Sequence, residues 1–385
     1  MSLRPTLLSL LLVLTLGGCA SLNPMHWFKK PTPAEKPAEL IKFQPAITLK
    51  MAWHNELGNK QNLTFNPVAT LDALYAATGS NKLYKLDLKT GKIIWQISTG
   101  KTPLSAAVGA SEDSEFTGTL KGKLIAWDNM GKQRWAAQLS STVIGQPKVA
   151  DGIVVARTED GDIYGLDSAT GAQKWRYLHV LPVLTLYAQP SVVIYKGAVF
   201  AGFAGGKLVA LALDTGSVGW DVDVSVPHGA TEIERINDVT STPVVDDHET
   251  CAVNYQGHLA CFDVHNGKLL WEKDMSSTAG LTMDDDNIYV SDTQGNVFAY
   301  EKEHGVNLWK QASLRDRQLT APRRIGDYVV VGDYQGYVHF MSLSDGHFVA
   351  RMATDGSAIT AQPIEYHHSV IVQTAKGGVF RIDLP

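Results

Sequence analysis

Several stretches of this 385-residue sequence hold residue types that do chemistry elsewhere, and each fails on spacing or order. Gly202-Phe203-Ala204-Gly205-Gly206-Lys207-Leu208 approaches a glycine-rich phosphate cradle. It is one residue short, and no Ser or Thr follows the lysine to reach a magnesium ion. Lys89-Thr90-Gly91 and Ser98-Thr99-Gly100-Lys101 carry pieces of a serine-hydrolase signature in reversed order. His367-His368 lacks a second ligand set at metal spacing. Asp284-Asp285-Asp286 lacks the alternating spacing of a calcium loop and reads as a solvated turn. No catalytic residue, metal or cofactor is therefore expected, and the glycine-rich pieces read as turns of a repeat.

One cysteine does have a chemical context. Arg4 and the apolar run Leu7 to Leu16 form the charged and hydrophobic regions of a secretion signal. The run is too short for the ~20 residues of a membrane-spanning helix. It ends in Leu16-Gly17-Gly18-Cys19, where small residues admit the lipoprotein peptidase and the Cys19 thiol accepts a diacylglycerol. Residues 1–18 are read as the signal. Residues 19–45, with Pro24, Pro31, Pro33, Pro37 and Pro45, are read as lipidated cysteine plus flexible tether. Ala20 follows the cysteine where an Asp would favour inner-membrane retention, so the outer membrane, periplasmic face, is expected. The other two cysteines, Cys251 and Cys261, lie in an oxidising compartment as an even pair. A hairpin near Gln256 sets them opposite each other, which is awkward geometry for a disulfide. A structural bridge and two buried thiols both remain open.

The element that positions everything else is a repeat. Ser80 to Asp87 followed by Gly91 and Trp95 recurs as Gly122 to Gly131 and Trp135, and as Gly161 to Gly171 and Trp175. It returns at Trp220, Trp271 and Trp309, then at Gly336 through Gly346 to Ala350, and last at Gly377 to Asp383. Pro67, Pro103, Pro147, Pro190, Pro243, Gly280, Pro322 and Pro363 open the successive periods. Period-two alternation broken by turns every eight to twelve residues or so marks short antiparallel strands, four to each ~40-residue unit. Residues 46–385 are thus expected to form an all-β, eight-bladed propeller, with the tryptophans packed between neighbouring blades. The segment Ile47 to Trp53 is expected to complete the last blade as its outermost strand, closing the ring without a free edge.

The unit Leu86 to Trp95, with Leu-Asp-x-x-Thr-Gly-Lys-x-x-Trp register, resembles the tryptophan-docking repeat of quinoprotein alcohol dehydrogenases. With the lipobox, the chain length and eight blades, the chain resembles the scaffold lipoproteins of the machine that inserts β-barrel proteins into the outer membrane. That resemblance implies a non-enzymatic scaffold without cofactor. The implied partners are the periplasmic domains of the central barrel subunit, other assembly lipoproteins and nascent outer-membrane proteins. It also implies a partner-binding pair of loops. Leu184 and Leu186 match the first loop, and Tyr187 stands where the family has an arginine, which removes the charge there. Asp238 matches the first acidic residue of the second loop, and Thr240 replaces the second. Read without the family, Leu184 and Leu186 are either exposed contact residues or inward-facing strand core, and Asp238 is suited to a basic partner residue. The two loops are expected to form one patch.

Other readings stay on the table. A quinoprotein dehydrogenase would need more chain and a vicinal cysteine pair, which is absent. A glycan-binding propeller would show a ring of exposed aromatics on one face. An exposed blade edge would capture extended strands. The net charge of −5 gives no basic footprint for nucleic acid, and no later segment has the apolar length of a membrane span.

Overall fold

Each period folds into a four-stranded antiparallel sheet whose strands follow one another in chain order from the inside outward. The computed structural model describes residues 36–58 and 65–385, with one compact unit running Pro37–Pro385. Residues 1–35, including the signal and Cys19, lie outside the described residues. Blades 1 to 7 occupy residues 68–98, 104–138, 143–177, 193–223, 244–275, 280–311 and 323–353. Blade 8 takes three strands from residues 364–383 and its outermost strand, Lys50–Glu56, from the other end of the chain. The closing strand pairs antiparallel with Gly378–Asp383, from Lys50 opposite Asp383 to Glu56 opposite Gly378. The all-β, eight-bladed architecture and its closure agree with the repeat.

Burial falls from the ring's interior outward. In blade 1 every residue of Ala73–Thr78 is buried, whereas Ile93–Ser98 leaves alternate residues exposed. The second strand is covered by blades on both sides, so it reads as a continuous apolar run rather than an alternating one. Among the described residues the buried apolar side chains form eight clusters, one at each junction between neighbouring blades.

The tryptophans are the bolts of these junctions. Trp175 Nε1 donates to Leu213 O of the next blade at 2.7 Å, and Trp271 Nε1 to Lys302 O at 2.7 Å. Each indole lies flat on a turn glycine. A Cβ on Gly216 would stand 2.6 Å from the Trp175 ring, and the residue's φ of 71° already disfavours a side chain. Blade 7 breaks the pattern, with Ala350 in the tryptophan position. There Ala46 N donates to Val349 O at 2.8 Å, and Ile47, Leu49 and Leu384 pack at the junction instead.

The same blade corrects the expected tether boundary at residue 45. Ala38 N donates to Arg315 O at 2.9 Å, Arg317 Nη1 donates to Ala38 O at 3.0 Å, and Arg351 Nη1 to Ile41 O at 3.0 Å. Phe43 stacks on Phe348 with ring centroids 5.6 Å apart. Here arginines cap the segment's carbonyls while its apolar side chains find the blade.

Cys251 and Cys261 face each other on adjacent strands, fully buried, and are joined as a disulfide. Their Cα atoms are 4.1 Å apart, the close approach of a non-hydrogen-bonded antiparallel pair. Direct opposition therefore brings the two sulfurs together.

Two buried carboxyls make stability depend on pH. Glu115 is fully buried with neither oxygen hydrogen-bonded, and burial pushes its carboxyl up to about 7. Burial does the same to Glu249, again to about 7, with Asp246 adding to the rise. Between the ordinary carboxylate range and pH 7 the folded state holds a proton that the unfolded chain releases. Stability contributed here is full below about pH 4.5 and falls until about pH 7, by roughly 3 kcal/mol per group. Glu115→Gln is expected to flatten that fall and to be about 1–3 kcal/mol more stable than the parent at pH 8, with little difference at pH 4.5. Urea unfolding at both pH values checks this; a Gln variant whose difference from the parent is the same at both would contradict it.

Candidate partner-binding face

The links between the outer strand of one blade and the inner strand of the next share a face with the hairpin turns joining second and third strands. Two of these links, residues 178–192 and 224–243, are much longer than the four residues 139–142 that join blades 2 and 3. Both cross blade 4's end of that face and meet. Leu186 N donates to Asp238 Oδ2 at 2.6 Å, and Gly205 N, in blade 4's hairpin turn, donates to Asp238 Oδ1 at 2.9 Å. Tyr255 N of blade 5's turn donates to Asp238 O at 2.9 Å. One aspartate thus ties two links and two blades. The apparent phosphate loop is this same turn: Gly205 and Gly206 have φ of 77° and 78° and join Ala198–Phe203 to Lys207–Ala212.

This geometry settles the local structure of the sequence-derived residues. Leu184 and Leu186 lie outside any strand, so they are not strand core. Leu184 is exposed, Leu186 half-buried, and Tyr187 is 66% exposed beside Val183 at 94%. The two links form one continuous surface, joined at Leu186 and Asp238. Asp238 differs from expectation. It is buried, and both carboxylate oxygens accept backbone N–H bonds, so it braces the first link rather than presenting a charge to a basic residue. Thr240 is buried too, with its hydroxyl unpaired.

The second link carries further exposed apolar groups, Val226 and Ile233. Its bend is held by Glu234 Oε2, which accepts from Ala230 N at 2.9 Å and Thr231 N at 3.1 Å, and Thr231 Oγ1 accepts from Glu234 N at 3.3 Å. That reciprocal pattern is a capping box. Inside the ring, a cavity of about 720 Å³ opens on the same face, lined by Thr242, Thr278, Thr320, Thr360, Gln189 and Tyr187 among others. A second cleft of about 290 Å³ lies on the other side of Leu186 and Tyr187, and Arg157 lines it. Arg157 was not singled out in the sequence. Its signal is a lone cation in the buried strand Ile153–Thr158.

Among the described residues, both groups that could hold a metal have ligand atoms already engaged. Glu249 lies beside Cys251 and Cys261, whose sulfurs are joined to each other. In the Glu301, Glu303 and His304 group, Glu301 accepts from Glu303 N at 2.8 Å and His304 N at 2.9 Å, closing a turn. The Asp284 carboxylate likewise accepts from Asp286 N at 3.0 Å and Asn287 N at 2.8 Å.

Fold and face together define a tryptophan-docked, eight-bladed propeller that presents two linked, apolar-tipped loops beside its central opening. A family model described as "Outer membrane protein assembly factor BamB" matches residues 79–311. The protein of that name from Burkholderia pseudomallei is 40% identical over 369 residues, covering 96% of this chain and 94% of its own. The crystal structure of BamB from Moraxella catarrhalis superposes with a TM-score of 0.80 at 29% identity, over 87% of this chain and 100% of that one. The chain belongs to the BamB family of outer membrane protein assembly factors. Quinohemoprotein alcohol dehydrogenase from Comamonas testosteroni, at TM-score 0.71 and 15% identity over 87% of this chain and 76% of its own, shares the fold alone.

Proposed function

We propose that this chain is a scaffold of the outer-membrane β-barrel assembly machinery and not an enzyme. Cys19 carries its lipid anchor at the periplasmic face of the outer membrane, and the propeller binds the periplasmic domains of the central barrel subunit. Other assembly lipoproteins and nascent outer-membrane proteins come together around that contact. The observation that carries the reading is the exposed Leu184–Tyr187 segment, held to the second link by Asp238. Apolar tips on a braced loop lose little freedom on docking, which favours affinity. Tyr187 supplies an aromatic anchor in place of a charge.

Capture of the purified barrel-assembly subunit on immobilised propeller tests this. Leu184→Ala/Leu186→Ala is expected to weaken capture at least about tenfold, the effect of losing one or two hot-spot side chains. Circular dichroism should show the fold unchanged. Equal capture by parent and folded double variant moves the contact elsewhere, and no capture by the parent removes the scaffold reading.

A further inference from the structure

The cleft beside the Leu184–Tyr187 segment contains a cation with almost nothing to hold. Arg157 is 6% exposed. Among the described residues its guanidinium makes one hydrogen bond, Nη1 to Gly202 O, and its buried Nε–H has none. Its carbon face lies 4.4 Å from the Phe203 ring centroid, and His179 stacks on the same ring at 4.0 Å. No carboxylate pairs with it among the described residues. The nearby acids are engaged: Asp162 holds Arg176, Asp160 accepts from Thr158 Oγ1, and Asp238 accepts two backbone N–H groups. Burial and the Arg157 charge both push the His179 imidazole down, so it adds no second cation. A guanidinium stays charged even when buried, and such charges are normally paired.

A second unpaired group lines the same cleft. Thr240 Oγ1 is buried without a partner. Ile144, Leu181, Leu186 and Val239 supply apolar walls, and two acids line it, Glu159 and Asp238, the second with both oxygens taken up by backbone N–H groups. An occupant must therefore accept hydrogen bonds, carry a negative charge near Arg157, and bring apolar flanks. A polyanion would meet Glu159, Asp238 and only one cation, whereas a single carboxylate set against Arg157 fits.

We infer that this cleft is a carboxylate-binding site, taking an acidic side chain flanked by apolar residues from a bound polypeptide. Arg157 grips the carboxylate, the Thr240 hydroxyl donates to it, and Leu186 covers it. The inference rests on the scaffold reading only for which protein supplies the acid.

The test uses the full chain with ¹⁵N-labelled arginine and two capped tripeptides, Leu-Asp-Leu and Leu-Asn-Leu. The Asp peptide is expected to move the Arg157 Nε–H resonance, assigned by its loss in Arg157→Gln, and to bind at least tenfold more tightly than the Asn peptide. Equal binding of the two peptides, or an Nε–H resonance that neither moves, overturns the site and leaves the donor to a bound water. If Arg157→Gln fails to fold, the comparison of the two peptides on the parent still decides. Capture of the barrel-assembly subunit is read separately. Intact capture with no preference for Asp sinks the cleft and spares the scaffold, while an Asp preference without capture does the reverse.

Discussion

Asp238→Ala is expected to lower capture of the barrel-assembly subunit by about ten- to a hundredfold although the Asp238 carboxylate is buried and turned inward. Its carboxylate accepts from Leu186 N and Gly205 N and is buried beneath the loop it holds. Hydrogen bonds to a charged group are worth about 1.5–3 kcal/mol each, so the variant loses both ties. The 178–192 link is then free to leave blade 4, and the cost of ordering it falls on binding. Asp238→Asn keeps the shape but turns an amide N–H toward one of the two backbone donors, so it should fall almost as far. A bracing role has a signature in the unbound protein: amide exchange across residues 184–187 should accelerate in both variants. If capture falls while that exchange is unchanged, Asp238 acts on the partner directly and the inward geometry is not what matters.

What was legible in the sequence follows from what repeats. A tryptophan and a glycine recur because all junctions but that of blades 7 and 8 use the same indole on the same turn, so the ring and its closure could be counted. The pairing of the two long links was legible only as neighbourhood. The bond that joins them spans 52 residues and belongs to no repeat, and the inward turn of Asp238 depends on a backbone N–H in blade 4's hairpin. Arg157 was hidden for a related reason. Its strand reads as one more buried apolar run, and whether its charge is answered depends on residues of blade 4. Residues 38–45 misled through composition. Pro37 and Pro45 at the segment's ends signal an unfolded leash, yet the contacts that hold this segment come from Arg317 and Arg351, at separations of 279 and 310 residues.

Closure predicts an unequal response among chemically identical bolts. Trp53→Ala is expected to cost about 3–5 kcal/mol, the range for removing a buried Trp side chain. Trp95→Ala should cost less, because Trp95 is only half-buried, although both indoles donate to a neighbouring blade, at 3.0 Å to Leu88 O and 2.9 Å to Asn129 O. The difference goes beyond burial. Trp95 sits on a strand covalently continuous with its own blade, whereas Trp53 holds Lys50–Glu56, which reaches blade 8 from the opposite end of the chain. Loosening that strand leaves blade 8 with three strands and an open edge, a template for pairing with other chains. The Trp53 variant should therefore unfold with a shallower urea dependence and self-associate at concentrations where the Trp95 variant remains monomeric. Equal losses of stability and no association in either would mean that the ring holds without its closing strand, and that the other blade junctions suffice.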